Sequence, residues 1–125
     1  MGFLQLLVSR YSYVKVAARF NVSTTYLRAI TAGERAASGR ILNLSRNLYR
    51  TTMYNRLKSF GVPASSARAW RGRDIDFIDG MVSRYKTISK TIAEQRNTTQ
   101  AAIRRSLTET DMNIEELEES YTSLK

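Results

Sequence analysis

The chain has 125 residues, with 20 Lys and Arg against 11 Asp and Glu, a formal net charge of +9, and neither cysteine nor histidine. A hydrophobic share of 42% is enough to build a core, which excludes wholesale disorder, and the length suits one domain or two very small ones. Without Cys or His there is no disulfide framework and no thiolate or imidazole metal site, and the usual catalytic bases and nucleophiles are missing.

One Pro and six Gly among many Arg, Leu, Ala and Ser predict an all-α fold rather than strands and turns. No run of about 18 apolar residues offers a membrane span. The opening "MGFLQLLVSRY" lacks a basic leader and a small-residue cleavage site, which argues against a signal peptide. Leu6 stands where a myristoylation signal requires Ser or Thr. The charges are segregated along the chain. Residues 1–73 hold thirteen basic residues against one acid, Glu34, a balance of +12; residues 74–125 hold seven basic and ten acidic, a balance of −3. A basic half of this kind attracts polyanions, nucleic acid first among them. A solvated basic surface is the plain alternative.

In chain order, Phe3, Leu4, Leu7 and Val8 recur at helical spacing and predict a short helix ending near Arg10. Val14, Ala17, Ala18 and Phe20 predict the inner face of a second. Asn21 suits the left-handed position that ends a helix, and Ser23 can cap the next. That third helix carries Tyr26, Leu27 and Ile30 and stops by Gly33. A long helix is expected over about 38–60, with Ile41, Leu44, Leu48, Leu57 and Phe60 inward and a weak point at Thr51-Thr52. "GVP" at 61–63 ends it. "SSARAWRGR" reads as a short helix. From Asp74 to about Arg96 a second long helix places Ile78, Met81, Val82, Tyr85, Ile88 and Ile92 at spacings of three and four. Asn97-Thr98-Thr99 is another stop and restart, leading into "QAAIRRSL". In "NIEELEESYTSLK", Ile114, Leu117, Tyr121 and Leu124 share one face and acids the other.

The stretch "VAARFNVSTTYLRAI" at 16–30 is either an ordinary bend between packed helices or a helix-turn-helix. From Ala17 as the small residue at the crossing, Val16 lies one before, Phe20 three after, Asn21 at plus four, Val22 at plus five, Leu27 at plus ten and Ile30 at plus thirteen. Each holds a residue type that the helix-turn-helix unit accepts. Residues 13–38, "YVKVAARFNVSTTYLRAITAGERAAS", resemble the core of the Cro and lambda-repressor type helix-turn-helix family. That family follows its recognition helix with a comparable loop and a further helix, here "GRILNLSRNLY". The resemblance covers roughly residues 1–50. It departs from the family at Asn21, where Gly is usual, and Asn is the next best left-handed residue.

The resemblance implies a second helix whose N-terminal part enters the major groove. It nominates Thr24, Thr25 and Arg28 as base-contacting, with Tyr13 in a supporting contact. Arg can grip guanine O6 and N7, and Thr can bond a base edge or touch a thymine methyl. Ser23, Arg19, Arg35 and Arg40 flank the head as candidate phosphate contacts. A solvated surface charge is the alternative for each Arg.

Three further features invite a functional reading. "IAEQRNTTQAAIRRSL" at 92–107 echoes the first motif at Ile92, Ala93, Asn97 and Ile103. Arg96, Thr98 and Ser106 stand there where apolar residues belong, and a plain helical hairpin is the simpler reading. Trp70 within "ARAWRGR" could stack on a base beside Arg68, Arg71 and Arg73, but core packing explains a lone Trp more simply. Asp74, Asp76 and Asp79 open one helix, where the dipole accounts for them better than a metal does.

The sequence therefore predicts a small all-α protein with a basic helix-turn-helix domain over 1–60. A helical oligomerisation or accessory region follows over 61–125, with a hairpin and an acidic C-terminal helix. The expected function is sequence-specific binding of double-stranded DNA as a phage or mobile-element transcriptional regulator, not catalysis, with no cofactor, metal, membrane or small-molecule substrate. Such a protein would be a homo-oligomer, with a dimer as the first choice, in the host cytoplasm. The alternatives are a virion component or terminase-small-subunit-like packaging protein binding nucleic acid without readout, and an RNA-binding or protein-interaction module. The acidic tail could serve a dimer, mask the basic half or be solvated.

Overall fold

The computed structural model describes residues 2–110 and 112–122, the side chains of 121 and 122 excepted. Among these residues there are eight helices and no strand: α1 (Phe3–Arg10), α2 (Tyr13–Phe20), α3 (Thr24–Thr31), α4 (Gly39–Ser59), α5 (Ala64–Trp70), α6 (Ile75–Arg96), α7 (Gln100–Thr108) and α8 (Ile114–Thr122). They form two units that divide within α4, residues 1–51 and 52–125. No helix is long and apolar enough to cross a membrane among the described residues.

Local chemistry sets the helix ends. Ser12, Ser23, Asp74 and Thr99 each cap the helix that follows, accepting from a backbone N–H three residues on, which satisfies one of the four donors that every helix start leaves open. Asn21 closes α2 and Asn97 closes α6, both in left-handed backbone with φ 56° and 51°. α3 is stopped by Gly33, whose φ of 78° costs a residue without a Cβ nothing. α4 runs unbroken through Thr51-Thr52. Threonine gives up only a few tenths of a kcal/mol of helix propensity, too little to open a 21-residue helix.

In the first unit the core is Leu4, Leu6 and Leu7 of α1, Val16, Ala17 and Phe20 of α2, Leu27 of α3, and Ile41, Ser45 and Tyr49 of α4. α1 and α3 both pack on α2, and the Phe3 and Tyr49 rings meet at 5.3 Å. Several expected inner positions face elsewhere. Val14 is 66% exposed and Ala18 is exposed, while Val16 and Phe20 are buried. Eight residues accommodate two overlapping stripes, and packing on α3 selects the one through Val16, Ala17 and Phe20. Ile30, Val22, Leu44 and Leu48 are half-buried. The buried stripe of α4 is instead Ile41, Ser45, Tyr49, Met53 and Leu57, one residue every four.

In the second unit α7 and α8 both pack on α6. Ile78, Val82, Tyr85, Ile88, Ile92 and Ala93 of α6 are buried, as are Ile103 and Leu107 of α7 and Ile114 and Leu117 of α8. Met81 and Phe60 are half-buried. Ser89 and Thr91 are buried too, and each hydroxyl donates to the carbonyl four residues back, at 2.7 and 2.9 Å, which removes the desolvation cost of a polar group inside. Trp70 is half-buried, its ring set edgewise on Phe77 at 5.9 Å. Glu118 and Glu115 of the acidic helix pair with Arg84 of α6, Glu115 at 3.6 Å. Leu124 lies outside the described residues, as does the Tyr121 side chain.

Candidate nucleic-acid interface

The connection between α2 and α3 is three residues long, and each has a defined task. Asn21 turns the chain left-handed, with ψ 48°. The Val22 N–H donates to the Ala17 carbonyl at 3.0 Å. Ser23 caps α3 through the Tyr26 N–H at 3.1 Å. Leu27 is fully buried and anchors the helix, so the opposite face, with Thr25 and Arg28, is exposed. Thr24, the first residue of α3, is half-buried.

Arg28 and Tyr13, fifteen residues apart, meet across α2 and α3. The Arg28 guanidinium carbon lies 5.1 Å from the centre of the Tyr13 ring, a cation–π contact. The Tyr13 hydroxyl is 2.8 Å from Thr31 Oγ1, and Thr31 in turn donates to the Arg28 carbonyl at 3.1 Å. With the threonine proton spent there, Tyr13 is the donor in the shared bond. Its oxygen retains lone pairs for accepting only. Tyr13 therefore orients Arg28. The pair lines an open cleft of about 730 Å³ with Gln5, Val8, Ser9, Thr31 and Ala32.

On the other side of α3, Ser23, Arg35 and Arg40 line a second cleft of about 410 Å³ with Tyr26 and Ser38. The Arg35 guanidinium stacks on the Tyr26 ring at 4.9 Å. Arg40 donates to the Phe20 carbonyl at 2.8 Å, a cation at the negative end of α2. One of its amino groups is thus held by the fold, and Arg40 locks the end of α2 as well as carrying charge. The Ser23 oxygen accepts the cap bond and keeps its own proton to donate. Arg19 stands apart from both groups, in a smaller cleft with Phe20, Leu44, Asn47, Leu48 and Thr51.

The sequence did not single out Tyr26 or Thr31 as site residues. Tyr26 reads as one more apolar residue of α3, and only the loop through Gly33 returns Arg35 to its ring. Residues 1–51 carry eight basic residues and one acid, Glu34. No group of three or more metal-ligating side chains occurs among the described residues. Asp74 is occupied as a helix cap, and Asp79 pairs with Arg56. No family model, no curated protein and no solved structure matches the chain.

Proposed function

We propose that this protein is a sequence-specific double-stranded DNA-binding protein, a transcriptional regulator of phage or mobile-element type, acting as a homodimer. α3 enters the major groove in the manner of the Cro and lambda-repressor type proteins that residues 13–38 resemble. One observation carries the reading: a short capped helix held down by buried Leu27 turns Thr25 and Arg28 outward, and Tyr13 fixes the arginine in place. An Arg left to wander pays rotamer entropy on binding, whereas a stacked one is already partly ordered. In this account Arg28 takes guanine O6 and N7, Thr25 reads the neighbouring base, and Ser23, Arg35 and Arg40 hold phosphates beside them.

Readout and plain charge attraction separate experimentally. Arg28→Ala should relax preference at one or two positions of the preferred site, at a cost of about 1–3 kcal/mol against the best base. Arg35→Ala, at a phosphate contact of this account, should weaken all sequences alike. If Arg28→Ala also weakened every sequence equally, the helix would be a scaffold and not a reader.

A further inference from the structure

In the second unit ten of the chain's eleven acids are present, yet four cations gather without one. Lys58, Arg104 and Arg105 line a shallow cleft of about 360 Å³ between the end of α4 and α7. Lys86 and Arg104 both approach the Phe60 ring, at 5.5 and 5.0 Å. None of the four has a carboxylate within ion-pair distance among the described residues, whereas Arg56 and Arg84 do. Cations held together without counter-charge repel one another, and the face of one aromatic ring offsets that only in part.

The backbone beneath this cleft repeats the α2–α3 connection 76 residues later. Asn97 is left-handed with ψ 51°. The Thr98 N–H donates to the Ala93 carbonyl at 3.0 Å, matching Val22 on Ala17, and Thr99 caps α7 as Ser23 caps α3. Ile92, Ala93 and Ile103 are buried like Val16, Ala17 and Leu27. Arg104 holds the place of Arg28, again against an aromatic ring. Gly61, with φ 97°, lies so close to α7 that a Cβ there would meet Arg104 Cα at 3.3 Å, which fixes the helix in the cleft wall.

We infer that this cleft is a second DNA contact, one that grips backbone phosphates without reading sequence. No aromatic ring lines it, so it offers no platform for stacking bases of a single strand. Ala101, in the place of Thr25, has nothing with which to read a base edge. The two hydroxyls in the wall, Ser59 and Thr108, spend their protons on the Arg56 and Arg105 carbonyls, both at 2.7 Å. The available donors are the three cations. This rests on duplex DNA being the partner proposed above, but not on α3 reading bases.

The test is duplex affinity of the full chain against salt, over about 50–200 mM, where log K falls by roughly 0.9 per phosphate neutralised. Lys58→Ala with Arg105→Ala should flatten the slope by about 1.8 and lower affinity equally for all sequences. Ser59→Ala with Thr108→Ala should leave the slope unchanged. Arg104 is left intact because it packs on Phe60 and Gly61. Arg105→Glu alone, at an exposed position, serves if the double variant melts early. An unchanged slope in a folded variant overturns the inference, as does a wild-type protein that binds no duplex at any salt. Binding without sequence preference would sink the base-reading proposal and leave the cleft to be judged by the same slopes.

Discussion

Replacing Asn21 or Asn97 probes the turn on which both units depend. Each holds a left-handed backbone, φ 56° and ψ 48° at Asn21 and φ 51° and ψ 51° at Asn97, a region that costs an ordinary L-residue about 1–2 kcal/mol. Asparagine is tolerated in the left-handed region better than other residues that carry a Cβ. Alanine keeps the Cβ without that tolerance, so Asn21→Ala should cost about 1 kcal/mol, and Asn21→Val, with a branched Cβ, about 2. Glycine removes the clash but adds backbone entropy to the unfolded chain, so Asn21→Gly should stay within about 0.5 kcal/mol of wild type. For a chain of this length each kcal/mol moves Tm by about 3–6 °C. Thermal melts followed by circular dichroism should therefore rank the variants Gly and Asn together, then Ala, then Val. Asn97→Ala should match Asn21→Ala, and the double variant should show the sum, since the two turns share no hydrogen-bond partner. An Asn21→Ala protein as stable as wild type, or an Asn21→Gly protein less stable than Asn21→Ala, would refute the left-handed turn.

Leu27→Ala, at a fully buried position, should cost about 2–5 kcal/mol by chemical denaturation and abolish DNA binding only through unfolding. Tyr13→Phe keeps the ring under Arg28 and loses the bond to Thr31, so DNA affinity should fall less than with Tyr13→Ala, which loses both; equal losses would remove Tyr13 as a positioning residue. Gly61→Ala forces a Cβ against Arg104 and Leu107 at 3.3 Å in left-handed backbone and should destabilise by about 1–3 kcal/mol. Tyr85 is buried with no hydroxyl partner among the described residues. Burial, followed by the charge of Glu115, pushes it up to about 12. The fold therefore favours the protonated phenol: that contribution is complete below pH 10 and is lost as pH rises towards 12. Tyr85→Phe should be neutral or stabilising near neutrality and should lessen the alkaline loss in denaturation curves.

The helix ends were legible in the sequence because capping is local: Ser23, Asp74, Thr99, Asn21 and Asn97 act on backbone groups within five residues. Helix faces were harder to read. α4 turns Ser45 and Tyr49 inward while Leu42 is 58% exposed, and hydropathy ranks those three the other way. In α2 only the position of α3 decides that Val14 faces out. The candidate site was legible as a set of residue types but not as an arrangement. Arg28 on Tyr13, Arg35 on Tyr26, and Lys86 and Arg104 on Phe60 join residues nine to forty-four apart, separations that no helical periodicity encodes. The acidic C-terminal segment reads as an amphipathic helix that could serve a dimer, mask the basic half or be solvated, and the sequence does not say what its apolar face meets. Ile114 and Leu117 seat it on α6, and Glu115 and Glu118 are engaged by Arg84.

The central claim, that α3 reads base sequence in duplex DNA, is tested most directly by selecting bound molecules from a random-sequence duplex library at near-physiological salt and sequencing them. The account predicts an enriched motif, with two half-sites about one helical turn apart for a dimer. Retention of the library without enrichment, or no retention, would contradict it.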